Sequence, residues 1–195
     1  RNVKNLRHLL SNVMIRNKRN DIDVKLTKRT ATTIPLALST EEKKLYDEIS
    51  LFVKNRYAGE GTGLTRFILK NLQEEMGSSF EALTDTLRKL AINEKVGKAE
   101  RSMMSNFVRD AENILKRDLP NEKLLKVLEI IKGNNDKIII FTKYMATQNV
   151  IVSFLNEQNI KTALFNGSQK RKEKEEQIEF FKMDARILVS TETGG

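Results

Sequence analysis

Apolar residues recur every three or four positions along most of this chain. Only near the C-terminus do they gather into short unbroken runs. Val3, Leu6, Leu9, Leu10, Val13 and Met14 fall at helical spacing and predict an amphipathic first helix, with His8 off the stripe. Residues 30–38 are β-branched early and then alternate, which predicts a strand. Pro35 cannot donate to a ladder, so that strand belongs at an edge. Ser39-Thr40-Glu41-Glu42 forms a capping box, and Leu45, Tyr46, Ile49, Phe52 and Val53 mark the helix behind it. Gly59, Gly61 and Gly63 read as an interhelical turn. No strand precedes them and no Gly-Lys-Thr or Gly-Lys-Ser follows, as a phosphate loop would need. Leu64, Phe67, Ile68 and Leu72 predict a second helix ending near Gly77. Ser78-Ser79-Phe80-Glu81 reads as another capping box, with Phe80, Leu83, Leu87, Leu90 and Ala91 as a third helical face. Met103, Met104, Phe107, Val108, Ala111, Ile114 and Leu115 give a fourth. Residues 40–117 are therefore expected to be a helical block, with its methionines packing the core.

After Pro120 the period changes. Leu124, Leu125, Val127, Leu128, Ile130 and Ile131 predict a helix ended by Gly133. Strands are then expected at 137–142, 163–165 and 186–190, with helices at 146–157 and 169–182 between them. Strands alternating with helices of this length imply right-handed βαβ units and a parallel sheet. Each strand ends in groups that suit an anion: Thr142 and Lys143, then Asn166-Gly167-Ser168, then Thr191 with Gly194 and Gly195 beyond it. Ligands of open parallel sheets bind at that edge, where helix N-termini and hydroxyls meet phosphate oxygens. Helix capping is an equally good reading of Ser168, and Thr191 also fits an ordinary turn.

Charge sharpens this picture. The net charge is +9 over 195 residues, distributed as +7 in residues 1–30, 0 in 31–120 and +2 in 121–195. A basic first segment suits either a polyanion or bare solvent. Cysteine is absent and His8 is the only histidine, so disulfides are excluded and no metal site is expected. No stretch has the length and apolarity of a membrane span, and no signal peptide is evident. A chain starting at Arg1 suggests a piece of a longer polypeptide.

The order of these blocks resembles the second RecA-like lobe of superfamily-two helicases, and more narrowly the bacterial Swi/Snf-type ATPases. Ile138 to Tyr144 matches an apolar strand followed by Phe-Thr-x-Tyr. Asn166-Gly167-Ser168, Arg171 and Phe180-Phe181 follow the next block. Leu188-Val189-Ser190-Thr191-Glu192-Thr193-Gly194-Gly195 follows motif V. Upstream, Arg16-Asn17-Lys18-Arg19, Lys28-Arg29, Leu38-Ser39-Thr40-Glu41-Glu42 and Leu45-Tyr46 resemble the approach to that lobe. Gly77-Ser78-Ser79-Phe80-Glu81-Ala82 resembles an element of the bacterial branch.

The resemblance implies an α/β fold: a partial RecA-like parallel sheet flanked by helices, preceded by a mostly α-helical region. The expected divisions are a basic segment and strand at 1–39, a helical protrusion at 40–117 and a truncated second lobe at 118–195. Double-stranded DNA is the implied partner, with a DNA-bound protein as a further partner and a first RecA-like lobe in cis. ATP and Mg2+ are implied for the full-length protein and none for this piece alone. The lysine, magnesium carboxylates and arginine finger of phosphoryl transfer are not among these residues, so the piece is expected to be inactive. Backbone contact is implied for Thr142, Lys143, Asn166, Gly167, Ser168 and Thr191, with Arg16, Lys18 and Arg19 adding basic surface. Gly194 and Gly195 are implied at the ATP cleft. A cytoplasmic, nucleoid-associated location follows from the same resemblance. Two other readings stay open: an RNA helicase lobe from another branch, and a non-catalytic interaction module.

Overall fold

The computed structural model describes Val3 and residues 30–57, 64–117 and 121–191. The chain divides into two units, residues 1–35 and 36–195. In the first unit, Val3 is helical and exposed, and residues 30–35 are exposed without regular structure. The strand expected over 30–38 does not form: residues 30–39 are irregular. Its alternation has nothing to pack on, since Ile34, Leu36 and Leu38 all remain exposed, and Pro35 offers no ladder donor. The predicted first helix, His8 and the turn at Gly59, Gly61 and Gly63 lie outside the described residues, apart from Val3.

The second unit opens with four helices: α1 (Thr40–Tyr57), α2 (Arg66–Ser78), α3 (Phe80–Ile92) and α4 (Lys98–Leu115). The box before α1 closes both ways. The Ser39 N–H donates to Glu42 Oε2 at 2.8 Å, and the Glu42 N–H donates to Ser39 Oγ at 3.3 Å. The second box forms differently from expectation: Ser79, not Ser78, caps α3 by accepting from the Ala82 N–H at 3.2 Å. Ser78 closes α2 instead, which frees its hydroxyl for another contact. The four helices share one core. Ile49, Leu72, Leu83, Leu87 and Met104 are fully buried there, and the Phe52 and Phe107 rings meet edge to face at 5.9 Å. Arg56 on α1 reaches the buried Glu100 carboxylate on α4 at 2.7 Å.

The remainder alternates as expected: α5 (Glu122–Lys132), β1 (Ile138–Thr142), α6 (Met145–Glu157), β2 (Thr162–Phe165), α7 (Arg171–Met183) and β3 (Ile187–Thr191). The three strands form a parallel sheet in the order β1-β3-β2. Asn159 turns the chain from α6 toward β2 in the left-handed region, at φ 58°, which asparagine tolerates better than most residues. Leu124, Ile131, Ile151, Phe154, Leu155, Ile187 and Val189 form a second core, with Ile138 and Ile140 against it. The alternate residues of β1 face outward: Ile139 is 49% and Phe141 70% exposed. Helix α7 packs over β2 and buries none of its residues. Ile178 on this helix is exposed, and Phe180 and Phe181 are only partly covered. Its charged run is a solvated face, with Arg171–Glu175 at 2.9 Å and Lys172–Glu176 at 3.9 Å. At the opposite end of the sheet, Lys137 donates to the carbonyls of Phe181, Lys182 and Ala185 that close α7. Arg186 donates to the carbonyl of Ile131 near the end of α5.

Candidate functional site

Parallel register brings the strand ends to one rim. Thr142 lies opposite Thr191, and Phe165 opposite Ser190, so the carboxyl ends of β1, β2 and β3 lie at the same side of the sheet. Thr142 is half-buried, and Gly167 and Ser168 are exposed on the turn after β2. Asn166 and Thr191 lie beneath the rim, at 3% and 1% exposure.

Gln148 on α6 organises this edge from within. It is fully buried. Its Nε2 donates to the carbonyls of Phe165 at 3.0 Å and Val189 at 2.9 Å, while its Oε1 accepts from Asn166 Nδ2 at 2.9 Å. Asn166 Oδ1 in turn accepts from the Ser168 N–H at 3.1 Å and the Ser168 hydroxyl at 2.7 Å. The Asn166-Gly167-Ser168 turn is thus fastened through Gln148 to the last residues of β2 and β3. Ser168 does not cap α7. The Lys170 N–H there donates to the Glu173 carboxylate at 2.8 Å. Asn166, expected to touch the nucleic-acid backbone, spends its side chain on Gln148 and Ser168. Buried polar groups in low dielectric must be satisfied in this way.

Cations near the rim include Lys143 after β1 and Lys170, Arg171 and Lys174 around the start of α7. Lys174 Nζ stands 5.0 Å above the Phe165 ring. Lys143 reaches away from the sheet to Glu74 on α2, with 2.5 Å between Nζ and Oε2. That hydrogen bond pushes the Lys143 ammonium above its ordinary value and holds the Glu74 carboxyl below its own. Thr147 on α6 shares hydrogen bonds with the Ser78 and Ser79 hydroxyls, both at 2.8 Å. Lys123 on α5 donates to the carbonyls of Gly77 and Ser78, closing the end of α2. The Gly-Ser-Ser element singled out in the sequence is therefore the joint between helical block and sheet.

Sequence reasoning placed Thr142, Lys143, Gly167 and Ser168 on one edge, where they lie. Asn166 and Thr191 are at that edge but covered. Arg16, Lys18, Arg19, Gly194 and Gly195 lie outside the described residues. Gln148, Thr147 and Glu74 were missed. The signal for Gln148 was legible: it shares the inward stripe of α6 with Ile151 and Leu155, and an amide there needs partners. Nothing local marks Glu74, whose partner lies 69 positions away.

A three-strand parallel sheet flanked by helices, with polar groups at the carboxyl ends of its strands, fits the fold of a RecA-like lobe. Residues 121–195 match the family model described as helicase conserved C-terminal domain. Over 194 residues, or 98% of its length, the chain is 35% identical to the uncharacterized ATP-dependent helicase YqhH of Bacillus subtilis (strain 168), of which it spans 33%. It is 33% identical over 135 residues, 63% of its length, to a Methanocaldococcus jannaschii protein named as an ATP-dependent RNA helicase, of which it spans 17%. Among solved structures, the Sulfolobus solfataricus SWI2/SNF2 ATPase core domain aligns over 98% of this chain and 37% of its own, at 18% identity and a TM-score of 0.49.

Proposed function

We propose that this chain is part of an ATP-dependent translocase or remodeller of the Swi/Snf type acting on double-stranded DNA. The sheet rim would grip the nucleic-acid backbone. One observation carries the reading: Thr142, Lys143, Gly167 and Ser168 meet at the carboxyl edge of three parallel strands. The helicase C-terminal domain match over residues 121–195 supports it, as does the similarity to a Bacillus helicase.

The exposed backbone of Gly167-Ser168 and the Lys143 ammonium are the groups that would meet phosphate oxygens. The Ser168 hydroxyl proton is engaged by Asn166, so that side chain would have to rotate before donating to a phosphate. Asn166 and Gln148 act as positioning residues that hold the turn. ATP and Mg2+ belong to the intact protein in this reading, together with a first RecA-like lobe in cis. ATP, when bound, would supply the free energy for closing and opening the two lobes, and Gly194 and Gly195 would flank it. The helical block, with no net charge across residues 31–120, suits bracing or a DNA-bound protein partner better than strong DNA binding. A cytoplasmic, nucleoid-associated location accompanies this proposal.

The test is ATP hydrolysis by the full-length protein with and without nucleic acid. Duplex DNA is expected to stimulate hydrolysis well above duplex RNA, while residues 1–195 alone hydrolyse at background. Stimulation by RNA alone would favour an RNA helicase lobe, a reading supported by the Methanocaldococcus similarity. The absence of any ATPase in the intact protein would leave a non-catalytic interaction module.

A further inference from the structure

One lysine of the rim, Lys143, is already engaged by a carboxylate from another part of the fold. Lys143 extends from the end of β1, and Glu74 meets it from α2 at 2.5 Å. Both side chains are partly open to water, at 46% and 33% exposure. Glu74 has a second cation nearby, Lys70, at 3.5 Å. Lys143 is therefore not Glu74's sole neutralising partner, and its departure would not strand a bare carboxylate. The joint between helical block and sheet has hydrogen bonds of its own besides this ion pair. The Thr147 hydroxyl binds Ser78 and Ser79, and Lys123 holds the Gly77 and Ser78 carbonyls. The pair can open while the helical block stays docked.

We propose that Glu74 is a built-in competitor for nucleic-acid phosphate at Lys143. In the free protein its carboxylate occupies the ammonium. On binding, a backbone phosphate takes its place and Glu74 relaxes onto Lys70. This inference rests on the rim being the nucleic-acid surface. A solvent-exposed ion pair shifts an equilibrium by a factor of up to about five, so the competition is easily reversed. It sets a threshold on binding and does not block it. It also makes α2 sensitive to whether the rim is occupied, since Glu74 is held in one state and released in the other.

The test is a double-mutant cycle on the full-length protein, read as affinity for a short blunt DNA duplex over a range of salt. Glu74→Gln is expected to tighten binding about 3- to 5-fold, with the dependence on salt nearly unchanged. Lys143→Ala is expected to weaken binding and to reduce the slope of log K against log salt by roughly 0.9, as for one lost phosphate contact. In the Lys143→Ala background, Glu74→Gln should give no further gain. A general field effect of removing one negative charge would instead persist in that background, and that outcome overturns the proposal. So does wild-type affinity in Glu74→Gln when Lys143→Ala still weakens binding; the proposed function then survives alone. If the wild-type protein binds no nucleic acid, both readings fall together.

Discussion

The helical block and the sheet are folded by opposite means. In α1–α4, large side chains interlock from all sides, and Ile49, Leu72, Leu83, Leu87 and Met104 are completely enclosed. The sheet closes a smaller apolar core on one side, and over β1 its other side carries Ile139 and Phe141 into solvent. What the sheet lacks in buried surface it recovers in polar fastening: Gln148 and Asn166 within the rim, and Thr147 with Lys123 at the joint. The lesson is a division of labour. A densely packed body with no net charge adjoins a thinner layer whose polar groups are concentrated along one edge.

Equal truncations in the two halves probe this contrast most strongly. Leu83→Ala should cost about 3–5 kcal/mol, because its surroundings are too well packed to collapse onto the cavity. Leu124→Ala, in the thinner core at 8% exposure, should cost about 2 kcal/mol. Urea unfolding of both variants measures the difference, and equal losses would end the distinction between a dense and a thin core. Next in size is the polar fastening. Gln148→Ala leaves the Phe165 and Val189 carbonyls and the Asn166 amide without their present partner, at a cost of about 3 kcal/mol. Amide exchange should then accelerate at the ends of β2 and β3 before it does in α1–α4. Uniform acceleration would show that the fastening is not local.

The smallest effect concerns the α2 carboxyl group whose pKa burial raises on balance, Glu75. Glu75 is 9% exposed. Burial raises its pKa from 4.5, against a hydrogen bond from the Thr86 hydroxyl at 2.8 Å that lowers it. A carboxyl whose folded pKa exceeds its unfolded value takes up a proton on folding in that interval. Stability therefore falls as pH rises from 4.5 through the folded value, and the ionised form carries the full cost above it. Glu75→Gln, which keeps an acceptor for Thr86, should raise the thermal midpoint slightly at neutral pH. The gain over wild type should vanish in acid below 4.5. A variant equally or less stable at neutral pH would show that the ionised carboxylate is not penalised.

The elements of residues 40–191 were legible because their hydrophobic periods are long and clean. The parallel sheet followed from strand and helix lengths, and the shared rim followed from the sheet. Failures came where a pattern had no partner surface. The alternation at 30–38 predicts a strand, but a strand needs a neighbour to bond to, and none is present among the described residues. The site was half legible. Composition at strand ends showed which residues gather, while burial decided which of them face outward. That is why Asn166 and Thr191 ended below the surface and Glu74, invisible in its own sequence context, ended beside Lys143.

Lys137 has a practical bearing on any alanine scan of basic residues for ligand contacts. Its ammonium gathers three main-chain carbonyls at the tail of α7 and sits 5.0 Å from the Phe181 ring. Helix ends tolerate such groups unmatched only at a cost. Neutralising Lys137 would loosen α7 and, through it, β2 and the Gly167 turn at the far end of the layer. Such a scan would then score a scaffold bolt as a ligand contact, and Arg186, fixed to Ile131 in the same manner, would mislead alongside it.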